Sequence, residues 1–325
     1  MALTLRETVL QLFTEADTYL SGEDISHALG CTRTAVWKHI SELRRLGYVF
    51  DAKPRKGYRL IERPDVLVPE EIKSFNRAQQ IGQAIRYVDS TVSTQHMAHE
   101  WAQEGARHGS LVIADEQTGG KGRLGRMWYS PPGSGIWMSF ILKPHLPLTH
   151  TPHLTLIFSV AVARALRKET AADVTIKWPN DIFVEGRKVC GILTEVRAEA
   201  DRIHYAVAGV GINVHFHSED LPQTIRTSAI SLSEIVEKPL HRAQIVAACC
   251  GEIEDLLNVY ERQSFSPIKS LWESYALMLG KQVTVHTAEG TRSGEAIGLD
   301  DRGALLLKTS SGIEHIFSAD VDLNT

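Results

Sequence analysis

Glu116-Gln117-Thr118-Gly119-Gly120-Lys121-Gly122-Arg123-Leu124-Gly125-Arg126-Met127-Trp128 packs four glycines and three cations into a segment that ends in an indole. Gly120, Gly122 and Gly125 match G-x-G-x-x-G. That fingerprint marks a dinucleotide fold only when a strand ends directly before it and a helix starts directly after it. Leu111-Val112-Ile113-Ala114 reads as a strand, but polar residues separate it from the glycines. Ser130-Pro131-Pro132-Gly133 follows and cannot continue a helix. There is no G-x-x-x-x-G-K-[ST] either, so neither a nicotinamide fold nor a P-loop fits. The segment is a loop. Its glycines allow close backbone approach to a ligand, its cations match a phosphate or carboxylate, and Trp128 offers a broad apolar face. A solvated basic loop has no use for four glycines and a tryptophan. The reading is a strap that folds over an anionic small molecule.

The flanking segments set the fold class. Ile85–Val88 reads as a strand, followed by Ser93-Thr94-Gln95 and a helix over His96–Glu104. Ser93 or Thr94 either caps that helix or meets the polar edge of a ligand. His96 and His99 are three apart on it and read as surface or packing histidines. Gly135–Leu142 is a strand and Pro152–Lys168 a long apolar helix. Thr175–Val184 reads as strand, polar corner, strand. Arg187–Val189, Gly191–Val196 and Tyr205–Val214 supply more strand. This pattern predicts a mixed or antiparallel sheet with helices on one face, an α+β class. Lys177-Trp178-Pro179-Asn180-Asp181 is its odd corner, since Pro179 bars a central-strand position. The bland reading is a packed hairpin corner. The chemical one makes Asn180 and Asp181 candidate magnesium ligands beside phosphates, because that ion takes few carboxylates plus waters.

The N-terminal segment has its own pattern. Helical spacing over Leu3–Phe13, a second helix over Gly22–Leu29 capped by Ser21, a turn at Gly30-Cys31-Thr32 and a third helix from Arg33 to Leu46 come in order. Two strands follow, Tyr48–Phe50 and Gly57–Leu60, around Lys53-Pro54-Arg55-Lys56. Helix, turn, helix and basic-tipped hairpin predict a winged helix-turn-helix. Residues 31–60 hold eight cations against two anions, while the whole chain carries a net charge of −4. A local excess of six positive charges in an otherwise acidic chain points to a polyanion contact. Thr32, Arg33, Thr34, Trp37 and Lys38 would face the major groove, and Lys53, Arg55 and Lys56 the phosphates. An ordinary three-helix unit with a solvated basic face is the bland alternative.

Glu62-Arg63-Pro64-Asp65 and Pro69 read as a linker. At the other end, a helix over His241–Tyr260 and another from Phe265 precede short strands, Lys281–Val285, Gly294–Leu299, Ala304–Leu307 and Gly312–Phe317. Tight turns between them indicate a small barrel. Domains are expected at 1–66, 67–275 and 276–325. An apolar share of 43% and a charged share of 23% are those of a globular protein. No apolar run reaches membrane-span length, and no signal-peptide pattern opens the chain. The four cysteines form no C-x-x-C pair, so reduced thiols in the cytoplasm are expected.

In order along the chain, Gly120-Lys121-Gly122-Arg123-x-Gly125-Arg126-x-Trp128, Lys177-Trp178-Pro179-Asn180-Asp181, Lys188-x-x-Gly191-Ile192-Leu193 and Gly209-x-Gly211-Ile212-Asn213 resemble the motifs of the biotin protein ligases. With a winged helix in front, the chain resembles the bifunctional biotin ligase and biotin operon repressor family over nearly its whole length. The family strap reads G-R-G-R; Lys121 here keeps the charge but not the bidentate fork.

The resemblance implies a biotin/lipoate ligase-like centre and an SH3-like C-terminal domain. It implies an enzyme that joins biotin to ATP and passes the product to a lysine of a biotin carboxyl carrier protein. Lys188 and Arg123 would be catalytic. Ser93, Thr94, Gln95, Gln117, Lys121 and Gly122 would join those two in holding biotin. Arg126, Trp128, Lys177, Asn180, Asp181 and Asn213 would hold ATP and the adenylate. Magnesium would sit at Asn180 or Asp181. The adenylate would also act as corepressor, favouring a homodimer on operator DNA. Two other classes compete. A sensor without catalysis would bind the acid but release no pyrophosphate. A lipoate-type acyltransferase shares the architecture but lacks the winged helix and the glycine-cation strap.

Overall fold

The computed structural model describes residues 5–16, 18–199 and 202–323. Internal contacts divide the chain into two units, Met1–Arg77 with His241–Ala247, and Ala78–Leu240 with Ala248–Thr325.

In the smaller unit, α1 (Leu5–Glu15), α2 (Gly22–Leu29) and α3 (Arg33–Arg45) precede the hairpin β1 (Val49–Lys53) and β2 (Gly57–Glu62). Leu3, where the sequence pattern began the first helix, lies outside the described residues. Ser21 caps α2 by accepting from the Asp24 amide at 3.0 Å, and Asp24 returns the bond to the Ser21 amide. Gly30 then leaves the helix at φ +60°. Val36, Ile40 and Leu43 on α3 bury against Val9, Leu10, Phe13 and Ile25. Each such side chain contributes about 2 kcal/mol of burial. Gly57 is dictated by crowding, since a Cβ there would lie 2.0 Å from the Leu20 carbonyl oxygen.

Pro69 does not break the chain. It opens a helix, α4 (Pro69–Phe75), at the first turn, where its missing N–H costs nothing. The residues read as a linker are pinned as well. Arg63 donates to buried Glu71 at 2.9 Å, and the Tyr48 hydroxyl donates to the same carboxylate at 2.6 Å. Asp65 accepts from the Arg242 side chain at 2.7 Å.

The larger unit is built on a seven-stranded sheet. Its strands are β3 (Ile85–Thr91), β4 (Ser110–Gln117), β5 (Gly135–Leu142), β6 (Thr175–Lys177), β7 (Asp181–Val184), β8 (Arg187–Glu199) and β9 (Arg202–Asn213). They lie in the order β3-β4-β5-β9-β8-β7-β6. Only β3 and β4 run parallel; the sheet is mixed. The helices are α5 (Thr94–Gln103), α6 (Thr151–Thr170), α8 (Ser266–Tyr275) and, from residue 248 onward, α7 (Arg242–Gln263).

Helices cover both faces of the sheet, not one as the sequence suggested. Phe140 meets Phe158 of α6, ring centroids 5.5 Å apart. Its neighbour Ile141 packs with Ala98 and Ala102 of α5. Adjacent strand residues point to opposite faces, so α5 and α6 lie on opposite sides. Every residue of β5 is buried for that reason.

The C-terminal part, read from the sequence as a small barrel of short strands, is a five-stranded antiparallel sheet. It contains β10 (Gln282–Thr287), β11 (Gly290–Leu299), β12 (Leu305–Thr309), β13 (Gly312–Ile316) and β14 (Asp320–Leu323), ordered β13-β12-β11-β10-β14. Val283, Val285, Leu305, Leu307 and Val321 form its buried row.

His153 on α6 is a buried joint in this unit. It stacks on Phe265 at 3.8 Å, its Nδ1 lies 2.8 Å from the Tyr260 hydroxyl, and its Nε2 lies 3.0 Å from the Asp301 carbonyl oxygen. Nε2 therefore donates and Nδ1 accepts, which is the neutral ring. Burial, helped by His150, lowers its pKa to about 4. The unfolded chain takes up this proton near pH 6.5, before the folded chain does. Stability from His153 is full above that pH and is lost as pH falls toward 4, by at most about 3 kcal/mol. The melting temperature of H153Q should accordingly fall less steeply than wild type between pH 6.5 and 4.

Candidate active site and nucleic-acid interface

A cavity of about 460 Å³ in the larger unit gathers every residue that the sequence reading assigned to small-molecule ligands. One wall is the first turn of α5. Ser93 occupies the N-cap position, but its side chain makes no capping bond. Thr94 does not cap either. Its hydroxyl sits 3.0 Å from Gln117 Oε1 and 2.9 Å from the Ser139 hydroxyl, and its amide donates to Gln117 Oε1 at 2.8 Å. Gln95 donates to the carbonyls of Leu193 and Val207 and accepts from Ser139 at 3.1 Å. These hydroxyls and amides form a polar end for a neutral ligand edge.

The strap is a small hairpin. Lys121 pairs with Met127, the Gly122 amide donates to the Arg126 carbonyl at 2.8 Å, and the Trp128 amide to the Gly120 carbonyl at 2.9 Å. A Cβ on Gly120 would come 2.6 Å from the Trp128 carbonyl oxygen, so this position requires glycine. The tip turns at Leu124 and Gly125, with φ of +57° and +74°. Arg123 Nη1 donates to Asn180 Oδ1 at 3.1 Å, and Nη2 to the Ser318 hydroxyl at 3.0 Å. Burial lowers the pKa of this guanidinium, while Asp320 and Asp181 oppose the shift. Arg126 pairs with Asp320.

Trp128 lies flat on two glycines. A Cβ at Gly211 would approach the indole nitrogen to 2.4 Å, and one at Gly191 would reach the ring at 2.9 Å. The indole N–H is buried with no acceptor among the described residues. Lys188 Nζ stands 5.1 Å from the ring centroid and 2.8 Å from Asp181 Oδ1, an ion pair rather than an aligned hydrogen bond. Lys177 covers Phe183 at 5.6 Å. Asn180 Nδ2 donates to the Ile192 carbonyl at 2.7 Å, and Asn213 Nδ2 to that of Ile230 at 3.2 Å. The cavity thus offers a hydroxyl-rich end, two cations in the middle, and an indole slab with a spare donor.

Sequence reading missed several contributors. Ser139, the lone hydroxyl in the apolar run of β5, was a usable signal. Phe183 was read only as strand. Phe216, Leu221, Ile225, Ser228 and Ala229 come from an irregular segment without periodicity, and Asp320 comes from the far end of the chain.

In the smaller unit, Thr32, Arg33, Thr34, Trp37 and Lys38 are exposed along the start of α3, and Lys53, Arg55 and Lys56 at the hairpin tip. Trp37 is 60% exposed, too much for a core residue. Thr32 caps α3, accepting from the Ala35 amide at 3.2 Å, and Arg33 pairs with Glu23. Lys53 and Arg59 stand over the Tyr19 ring at 5.0 and 5.2 Å, and the Tyr19 hydroxyl bonds Asp51. Tyr19 and Asp51 therefore anchor two cations of the hairpin, Lys53 and Arg59.

Residues 87–213 match the Biotin/lipoate A/B protein ligase family, residues 5–59 the HTH domain, and residues 278–324 the Biotin protein ligase C terminal domain. A Bacillus subtilis protein named bifunctional ligase/repressor BirA is 46% identical over 99% of this chain and 100% of its own length. The chain belongs to the bifunctional biotin ligase/repressor family. The Escherichia coli BirA is 29% identical to this ligase/repressor over 94% of the chain and 93% of its own length. A biotin protein ligase from Aquifex aeolicus, solved with biotin and ATP, is 32% identical with a TM-score of 0.65. That match covers 74% of this chain and 99% of the other. No described helix of the ligase/repressor is long and apolar enough to cross a membrane.

Proposed function

We propose that this chain activates biotin with ATP, passes it to a lysine of a biotin carboxyl carrier protein, and represses biotin genes by binding operator DNA. The observation that carries the ligase half is the convergence of Lys188 and Arg123 on one cavity with a polar end and an indole slab. A biotin carboxylate oxygen attacks the α-phosphorus of ATP, and the bond to pyrophosphate breaks. Both reactants are anions, so the two cations offset their repulsion and the charge that builds between them. The acceptor amine then attacks the acyl carbon, releasing AMP. Ser93, Thr94 and Gln117 hold the ureido ring, with Lys121 and Gly122 closing over it. Gln95, whose amide is committed to Leu193, Val207 and Ser139, buttresses that end. Trp128 carries the adenine, and Arg126, Lys177 and Asn213 frame the nucleotide.

Asp181 suits magnesium better than Asn180 does. The Asn180 oxygen already accepts from Arg123, whereas a single carboxylate beside phosphates matches the ion's habit. When bound, the ion would neutralise charge on the triphosphate.

The test is incubation with labelled biotin, ATP and a carrier domain. Label fixed to the carrier, with one pyrophosphate released per transfer, is the expected result. Binding of biotin without pyrophosphate would favour a non-catalytic sensor. The reduced state of the free cysteines Cys190, Cys249 and Cys250, all buried, fits a cytoplasmic protein.

For the repressor half, removing Lys56 or Arg55 should weaken operator binding about equally for all sequences. Each loss should reduce the slope of log affinity against log salt by about one. Titrations at several salt concentrations measure this; an unchanged slope would remove the hairpin from the interface. Homodimerisation is part of the same reading. Residues 193–199 of β8 pair with β9 on one side and, among the described residues, with no strand on the other. Such an edge can accept a second strand. Sedimentation with and without biotinyl-5′-adenylate checks it, and equal association in both would rule out a corepressor link.

A further inference from the structure

We infer that Ser139 is a positioning residue of this site: by donating to Gln95 it turns the Thr94 hydroxyl hydrogen away from Gln117, so the polar end of the cavity is one hydrogen short and selects a ligand edge that donates. The inference rests on the ligand-site reading above and adds the rule by which that end chooses. Four oxygens form a chain there. Gln117 Oε1 lies 3.0 Å from the Thr94 hydroxyl, that hydroxyl 2.9 Å from the Ser139 hydroxyl, and the Ser139 hydroxyl 3.1 Å from Gln95 Oε1. All four residues line the cavity. Both ends of the chain are amide oxygens held in one orientation. Gln95 spends its amide hydrogens on the carbonyls of Leu193 and Val207, at 3.3 and 3.2 Å, so its oxygen faces Ser139. Gly209, opposite Ser139 in the register of β5 and β9, leaves room for that oxygen; a Cβ there would lie 2.6 Å from it. Gln117 Oε1 accepts from the Thr94 amide at 2.8 Å, while its Nε2 donates to the Ser130 hydroxyl at 3.1 Å.

The hydrogens can then be counted. Three contacts link the four oxygens, but only the two hydroxyls bring hydrogens. An amide oxygen only accepts, so Ser139 donates to Gln95. The Ser139 hydrogen being taken, Thr94 donates to Ser139. Nothing is left for the contact between Thr94 Oγ1 and Gln117 Oε1, where lone pairs face each other. Thr94 and Ser139 are buried, and acceptors crowded together out of water are costly until a donor arrives. An N–H aimed between these two oxygens supplies the missing hydrogen. A ureido edge carries such groups; a carbonate or thioether edge carries none. Ser139 touches no reacting group. Its effect should fall on which ligand is retained and not on the chemical step.

Pyrophosphate release by the full chain tests this, with biotin compared against its cyclic carbonate analogue (both ureido nitrogens replaced by oxygen). Wild type should favour biotin in kcat/KM by at least about a hundredfold, because a site built to pair an N–H rejects an analogue that lacks it. S139A frees the Thr94 hydrogen for Gln117 and fills the gap from within. Its preference should shrink to about tenfold or less, through a higher KM for biotin and with kcat for biotin within about twofold. Q95M releases the Ser139 hydrogen instead and should shrink the preference in the same way with Ser139 in place, so the test does not hang on one variant folding. A merely structural role would lower the melting temperature and leave the preference as it was. Wild-type preference in either folded variant, or no preference in wild type, would overturn the assignment. If wild type releases pyrophosphate with biotin and S139A discriminates as wild type does, only the Ser139 assignment fails. If wild type releases none, the ligand-site reading goes with it.

Discussion

K188A should release pyrophosphate from biotin and ATP two to three orders of magnitude more slowly than wild type, the usual cost of losing one fixed donor aimed at developing charge. Lys188 is the ammonium nearest the Trp128 slab, and Asp181 holds it at 2.8 Å. Removing it does more than subtract a cation. Asp181 stays behind without its partner ammonium, so the site keeps a negative charge beside the phosphate while losing a positive one. The fold should tolerate the change. Lys188 and Asp181 are 30% and 25% exposed, and partly hydrated pairs contribute about 1 kcal/mol or less. K188R keeps the charge, but its planar fork must fit between the indole and Asp181, so partial activity is expected. A single-turnover assay beside a thermal melt separates the two effects. A full rate in K188A would remove this residue from the chemistry.

G211A should abolish adenylation as thoroughly while leaving the sheet standing. The added methyl would meet Trp128 at 2.4 Å from the indole nitrogen, and again at 2.6 and 3.0 Å along the ring. These are side-chain atoms, so the ring can swing out of its slot and β9 need not move. The loss then falls on the nucleotide. Its apolar wall is gone, and the ammonium of Lys188 no longer has an aromatic face under it. A rate at least about a hundredfold lower is expected, from misplacement of the reacting groups by roughly an ångström. Tryptophan fluorescence should shift to the red as the indole enters water, and W128F should recover part of the rate in the G211A background. If G211A binds ATP and reacts as wild type does, Trp128 is not the nucleotide wall.

Legibility in the sequence followed punctuation and periodicity. Gly22–Leu29 and Gly135–Leu142 emerge with the bounds read from sequence, because Ser21 and Gly30 bracket the first and glycine and charge bracket the second. The strap was legible because four glycines beside three cations have few other uses. Pro69 misled, since a proline that ends one pattern also starts a helix well. β14 was missed because Asp320 and Asp322 make it half polar and it is only four residues long. The covering of both sheet faces was written in the apolar run of β5, broken only by Ser139, and was underweighted against the two hairpins. What the chain could not disclose locally are meetings across distance. Arg126 with Asp320, and His99 with Glu195, join segments whose local patterns carry no trace of one another.

The grip of Arg123 and Arg126 on Ser318 and Asp320 has a practical corollary for handling this molecule. Asp320 opens β14, so a bulky group fused close behind that strand would strain the contact that holds Arg126 of the strap. Recombinant preparations should carry their affinity handle at the opposite terminus, or behind a long spacer, before any turnover number is taken at face value.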